Sequence, residues 1–140
     1  MNENIEAIFF FFFGTLRILH ENKAYQLKAE KLIASLSGTQ LSPKDFRKLI
    51  DERYVPYRKW ALDVNRESND EELWCKWLLP DYNQDVLRKN CKEMTYWYRQ
   101  CSGIRFVVDH GIEVIKELHA RGYKQGIISN LIGENEIPEW

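Results

Sequence analysis

The fold is decided by the stretch Ala7-Ile-Phe-Phe-Phe-Phe-Phe-Gly-Thr-Leu16. Its residues Ile8 to Phe13 are apolar without alternation, which is the pattern of a strand covered on both faces in a parallel sheet. The run is short for a buried helix, and Gly14 follows it as a stop signal. The stretch therefore predicts a buried β-strand that runs into a tight turn.

A second apolar run, Gly126-Ile-Ile-Ser-Asn130, ends in a hydroxyl and an amide. Before it, Asp109 is placed to cap a helix that ends at Arg121-Gly122. The inner positions of this helix are predicted to be Ile112, Ile115 and Leu118. Tyr123 to Ile128 then predicts a second strand. A helix that leads directly into an apolar strand is half of a βαβ unit, so we expect the two strands to be parallel and adjacent.

The region from Leu16 to about Arg105 is predicted to be almost wholly helical. Apolar residues at helical spacing, N-cap residues and helix-ending glycines mark four helices. They are predicted over Tyr25–Leu36, from Ser42-Pro43 towards Trp60 with a bend near Pro56, over Glu71–Leu79 and over Asp85–Tyr98. The tryptophans and tyrosines of these helices are expected to be core residues, because aromatics at helical spacing are more often buried than ligand-stacking.

Length and charge limit the classes of function. One hundred and forty residues are enough for a single core. Twenty basic and 21 acidic residues give a net charge of −1, which predicts neither nucleic-acid nor membrane binding. The apolar run is too short to span a bilayer, and the acidic Glu3 and Glu6 precede it, so no signal peptide is predicted. The three cysteines lack zinc-site spacing and predict reduced thiols in a cytoplasmic protein.

Together these segments resemble the haloacid dehalogenase-like (HAD) hydrolases, most of which are phosphatases. The resemblance rests on the strand followed by Gly14-Thr15-Leu16, on the helix and strand that end in Ser129-Asn130, and on the helical insertion between them. It implies an α/β fold: a partial Rossmann-like HAD core of parallel strands, made by residues 1–16 and 106–140, with an inserted all-helical cap over residues 17–105. In the family such an insertion is a mobile cap over the active site.

The resemblance also assigns roles to two positions of the first motif. In the family, an aspartate at the end of the first strand attacks phosphorus, and a second acid two residues later protonates the leaving group. Phe11 stands at the nucleophile position and Phe13 at the acid/base position. A phenyl ring has no lone pair to attack phosphorus and no proton to deliver, so both roles are lost. Branches of the family that act on carbon substrates tolerate an aromatic at the second position, which makes Phe11 the decisive change.

The phosphate-binding positions, in contrast, keep residues that can contact phosphate. By resemblance, the Ser129 hydroxyl and the Asn130 N–H contact a phosphoryl oxygen, and Gly14 and Thr15 complete the cradle. Taken alone, Ser129-Asn130 is more typical of a turn or a helix N-cap than of a phosphate site. The family's later lysine and acidic pair are not found before Trp140, so we expect no metal ligands here and no binding of the magnesium ion that the family uses.

The function implied by resemblance is hydrolysis of a phosphate ester of a small molecule through an aspartyl intermediate, with hydrolysis of a carbon–halogen bond as the second choice. We expect this chain to be catalytically inactive. Two alternatives stay open: a non-catalytic helical protein-interaction module over residues 26–98, and a fragment without function. Because only one neighbour is predicted for the phenylalanine strand, self-association through the open sheet edge is also expected.

Overall fold

The computed structural model describes residues 5–12 and 14–129, and they form a mixed α/β structure. The strands are β1 (Ala7–Phe11), β2 (Arg17–His20), β3 (Ile104–Val107) and β4 (Lys124–Ile128). The helices are α1 (Lys23–Ser37), α2 (Pro43–Asp63), α3 (Asp70–Glu72), α4 (Gln84–Gln100) and α5 (Gly111–Ala120), and α3 continues into a π-helical segment over Leu73–Leu78. The predicted α/β class is confirmed at this level.

The chain divides into two compact units. The strand unit contains the described residues 5–12, 14–20 and 104–129, and the helical unit contains residues 21–103. The strand unit holds all four strands and α5, whereas the helical unit holds α1 to α4. No helix within these described residues combines the length and the apolar character needed to cross a membrane.

The strand unit contains the parallel pair that the sequence predicts. β1 pairs with β4 in parallel, with Ala7 opposite Lys124 and Phe11 opposite Ile128. The pairing extends beyond the strands, because the Phe12 N–H donates to the Ile128 carbonyl at 2.9 Å. The prediction that the two strands lie adjacent and parallel is therefore confirmed.

The prediction that the phenylalanine strand is buried on both faces is wrong. Burial alternates along β1: Phe9 is 66% exposed and Phe11 63% exposed, while Ile8 and Phe10 are half-buried. The half-buried pair shares its sheet face with Gln125, whose side-chain amide donates to the Ile115 carbonyl of α5 at 2.9 Å. The face covered by α5 is thus the Ile8 and Phe10 face, and the opposite face is largely open.

On this open face the Phe9 ring lies across Gly126 of β4. A Cβ added at Gly126 would lie 2.6 Å from Phe9 Cε1, which is closer than non-bonded atoms approach. The glycine therefore leaves room for the aromatic ring beside the strand.

Helix α5 and its ends match the sequence-based predictions only in part. Gly122, with φ of 87°, ends the helix as predicted, and its N–H donates to the His119 carbonyl at 2.9 Å. The N-cap position is occupied by His110 in the left-handed region, without a side-chain cap, so the assignment of Asp109 as N-cap is wrong. Ile112 is 52% exposed and is not an inner position, whereas Ile115 and Leu118 are half-buried.

Two short strands lie at the two ends of the region that the sequence predicts to be helical. β2 and β3 pair antiparallel, with Arg17 opposite Val107 and His20 opposite Ile104. The His20 and Phe106 rings meet edge to face at a centroid distance of 5.2 Å. The chain therefore leaves the strand unit after His20 and re-enters it at Ile104, and the wholly helical stretch is shorter than predicted.

The helical unit follows its sequence signals closely. Helix α1 ends at Gly38, which has φ of 70°, and Ser42 caps α2 by accepting from the Asp45 N–H at 3.2 Å. Helix α2 continues through Pro56 to Asp63, three residues past the predicted end. The predicted third helix is formed as α3 and the π-helical segment, in which the Leu79 N–H donates to the Trp74 carbonyl at 2.8 Å.

The buried apolar core lies in the helical unit. Its fully buried large side chains come from every helix of the unit except α3, and from the π-helical segment. They include Ile33, Phe46, Ile50, Tyr57, Leu73, Trp74, Leu78, Leu87 and Met94. Among the large apolar side chains described in the strand unit, only Leu16 is buried. The single core expected from the chain length is thus made almost entirely by helices.

Candidate functional site

The carboxyl ends of β1 and β4 lie side by side, which is where the sequence predicts the site. Phe11 stands opposite Ile128, and Ser129 directly follows that pair. Phe13 and Asn130, the other predicted residues of the two motifs, lie outside the described residues. The structure therefore brings the predicted nucleophile position next to the start of the second motif.

The pair of side chains at this end is apolar. Phe11 is 63% exposed and its neighbour Ile128 is about half exposed, so a small molecule that approached the strand ends would meet a benzyl ring and a branched aliphatic chain. Neither group donates or accepts a hydrogen bond. This position therefore offers no nucleophile.

The backbone N–H groups of the turn after β1 donate hydrogen bonds within the turn itself. Gly14 has φ of 82°, a conformation that favours glycine, and its N–H donates to the Arg17 carbonyl at 2.9 Å. The N–H groups of Leu16 and Arg17 both donate to the Phe12 carbonyl, at 3.1 and 3.0 Å. Of the predicted cradle, the Gly14 amide is thus engaged within the turn. The hydroxyl-bearing Thr15 is exposed and Ser129 is half-buried.

Arg17 is a candidate that the sequence analysis missed. Its guanidinium carbon lies 5.4 Å from the centre of the Phe12 ring, at the start of the same turn. A guanidinium is always charged and presents a fork of donors that suits phosphate or carboxylate. The available signal was that Arg17 is the one charged residue between Ala7 and Leu19. It gives this end of the strand unit a positive charge.

The described residues at this end supply no carboxylate for a magnesium ion. The sequence from Ala7 to Leu19 contains no carboxylate, and Ser129 contributes only a hydroxyl. Mg²⁺ binds oxygen ligands and is usually held by at least one carboxylate. Across residues 5–12 and 14–129, no three His, Cys, Asp or Glu side chains are grouped so that they could hold a metal ion.

The aromatic residues of the helical unit serve its core. Trp74 is fully buried, and Trp77 packs against Trp60 and Tyr57 with ring centroids 4.9 and 5.7 Å apart. The prediction that most of these aromatics are core residues is confirmed for this group. Trp74 and Trp77 are therefore buried and half-buried and do not form an exposed aromatic pair.

A polar cluster lies at the junction of α2 and α4. Arg47 donates to Asp51 Oδ2 at 2.8 Å and to the Tyr98 carbonyl at 3.2 Å, and the Tyr98 hydroxyl donates to Asp51 Oδ1 at 3.2 Å. The nearby Cys101 thiol donates to the Trp97 carbonyl, and burial raises its pKa to about 11. A reactive cysteine needs a lowered pKa. This cluster is therefore a structural network and not a nucleophilic site.

The best candidate site is thus the joined ends of β1 and β4, with Phe11, Thr15, Arg17 and Ser129 around it. It has hydroxyls and a guanidinium that suit an anion, and a benzyl side chain at the predicted nucleophile position. No protein-family model, curated protein or solved structure matches this chain, so the HAD-like assignment stays a prediction from the residues.

Proposed function

We propose that this chain is a HAD-like scaffold that does not hydrolyse phosphate esters. The observation that carries the proposal is Phe11, whose benzyl side chain stands at the end of β1 directly beside the end of β4. In the reaction that the resemblance implies, an oxygen at this point attacks phosphorus and the bond to the leaving alcohol breaks. A phenyl ring has no lone pair of that kind, so the first covalent step cannot begin.

The remaining steps lack their groups as well. The acid/base position is Phe13, which has no proton to give to the leaving group. Between Ser129 and Trp140 the sequence contains no lysine and no aspartate. This stretch therefore supplies neither the lysine that neutralises phosphate nor the aspartates that hold magnesium in the implied mechanism.

A ligand retained by this site would be a small phosphorylated molecule. The support for this part of the proposal is the Arg17 guanidinium at the turn and the hydroxyls of Thr15 and Ser129. A cytoplasmic location is also proposed. Its support is that all three cysteines are free thiols, two of them buried, as in proteins of a reducing compartment.

The experiment is a turnover assay on the purified polypeptide with p-nitrophenyl phosphate and magnesium. We expect a rate equal to that of buffer alone, with and without EDTA. Intact-mass analysis after incubation with substrate is expected to show no phosphorylated species. Turnover that copurifies with the chain and is abolished by EDTA would contradict the proposal.

The variant Phe11→Asp separates the missing nucleophile from the rest of the site. We expect it to stay inactive, because Phe13 and the missing lysine and acids are unchanged. Phe9→Asp is the matched control, since Phe9 lies on the same open face and is equally exposed. Magnesium-dependent activity in Phe11→Asp but not in Phe9→Asp would show that the other groups of the site are competent.

A further inference from the structure

One edge of β1 carries backbone groups directed away from β4. The Lys124 N–H donates to the Glu6 carbonyl at 3.2 Å, and the Phe12 N–H donates to the Ile128 carbonyl at 2.9 Å. Backbone groups alternate in direction along a strand, so the even-numbered residues between these two also face β4. The N–H and C=O groups of Ala7, Phe9 and Phe11 consequently face the opposite edge. Among the described residues, β4 is the one strand that pairs with β1.

The same residues that face this edge also carry the exposed side chains. Phe9 and Phe11 are each nearly two-thirds exposed, and Ala7 is exposed between the polar Glu6 and the apolar run. The segment Ala7–Phe12 contains no charge, proline or glycine. Natural edge strands usually carry a protective feature such as a charge or a proline, which prevents pairing with other chains. This edge has none of them, so it is suited to accept another strand.

We propose that β1 pairs with β1 of a second copy of this chain, antiparallel, about a two-fold axis at Phe9. A two-fold interface joins the same surface of both copies, so the strand must be complementary to itself. With Phe9 opposite its own equivalent, Ala7 stands opposite Phe11 of the second copy. These outward-facing residues then exchange backbone hydrogen bonds, and the aromatic side chains form cross-strand pairs on the open face.

Charge at the ends of the strand supports this register. With Phe9 on the axis, Glu6 of one copy stands opposite Phe12 of the other. The Arg17 guanidinium lies over that Phe12 ring, 5.4 Å from its centre. Each end of the paired strands would therefore bring a carboxylate towards a guanidinium, and no like charges would face each other.

The far edge of β4 is a poorer partner for the same strand. β4 begins with Lys124 and contains Gly126, so it presents a charge and a residue that weakens strands. Pairing of β1 with that edge would also be head-to-tail, and such contacts do not close into a dimer. The uncharged aromatic edge of β1 therefore favours a closed, two-fold dimer.

Cysteine cross-linking tests the register. In an antiparallel hydrogen-bonded pair, directly opposed Cα atoms lie about 5.5 Å apart, which is within the range of a disulfide. Under mild oxidation, Phe9→Cys is expected to form a disulfide between the introduced thiols of two chains, identified by peptide mapping. Ile112→Cys is the matched control, because Ile112 is about half exposed on α5 of the same unit, and it is expected to cross-link at least tenfold less.

A disruptive variant tests the association itself by sedimentation velocity. The unmodified chain is expected to sediment as a concentration-dependent dimer, and Phe9→Lys as a monomer, because two lysines would then face each other. Far-UV circular dichroism checks that Phe9→Lys keeps its helices. A monomeric unmodified chain, open-ended polymers, or equal cross-linking of the two cysteine variants would overturn the proposal. None of these outcomes bears on hydrolysis, so the dimer proposal fails or stands independently of the proposed function.

Discussion

At the scale of single residues, a buried hydrogen bond links two elements of the helical unit. The indole N–H of Trp74 donates to Thr95 Oγ1 at 2.9 Å, and the Thr95 hydroxyl donates to the Cys91 carbonyl at 3.0 Å. Both Trp74 and Thr95 are fully buried. Thr95 therefore lets an indole N–H be buried in an apolar core without losing its hydrogen bond.

We expect Thr95→Val to destabilise the protein by about 1–3 kcal/mol, because the substitution keeps the shape and leaves the indole N–H buried without an acceptor. Urea unfolding followed by tryptophan fluorescence measures the change. Thr39→Val is the control, since Thr39 shares a hydrogen bond with the Tyr82 hydroxyl near the surface, and its cost is expected to be smaller. If Trp74→Phe costs as much in the Thr95→Val background as in the original chain, the bond does not contribute as described.

At the scale of elements, sequence signals located helices better than strands. Gly38, Ser42 and Gly122 mark helix ends by local chemistry, and the structure confirms each of them. The strands β2 and β3 have only four residues each, too few to show a period of two, and they were missed. The exposure of Phe9 was missed for another reason: a continuous apolar run does not reveal which of its faces is covered.

The candidate site, too, could be predicted from the sequence only in part. The meeting of β1 and β4, and the position of Phe11 beside Ile128, could be predicted because they follow from chain order in a βαβ unit. The engagement of the Gly14 amide by Arg17 and the guanidinium over Phe12 could not. Those contacts depend on the turn conformation and on a side-chain rotamer, which leave no pattern in the sequence.

The N-cap of α2 offers a test at the element scale. Ser42 Oγ accepts from the Asp45 N–H and also donates to Asp45 Oδ2 at 2.6 Å, so cap and first turn are joined in both directions. We expect Ser42→Ala to lower stability by about 1 kcal/mol and Ser42→Gly by only a few tenths, since glycine lets water reach the free N–H groups. Thermal melts of the two variants give the comparison. Equal melting temperatures for alanine and glycine would show that the cap is not used.

At the scale of the whole molecule, the two units differ in how much they bury. The helical unit contains the apolar core, whereas Phe9, Phe11, Phe106, Ile127 and other large apolar side chains of the strand unit are about half exposed or more. Apolar burial is the main favourable term in folding. The strands should therefore open at a lower free energy than the helices.

Hydrogen–deuterium exchange with peptide resolution measures that difference. We expect amides of α1, α2 and α4 to exchange slowest, and those of β2 and β3 to exchange at least tenfold faster at the same pH. In the dimer-breaking variant Phe9→Lys, amides of β1 are expected to exchange faster than in the original chain, with the helices unchanged. Uniform protection across both units would contradict this account.

The π-helical segment over Leu73–Leu78 bears on how the chain would accept the loss of one residue there. Trp74 and Leu79 are five residues apart and both fully buried, and the bond from the Leu79 N–H to the Trp74 carbonyl spans the widened turn. In a regular α-helix, positions five apart diverge by about 140° around the axis. Removing one residue between them would place the tryptophan and the leucine four positions apart, about 40° around a regular α-helix and still on one face, so this segment is expected to accept a one-residue deletion by becoming α-helical.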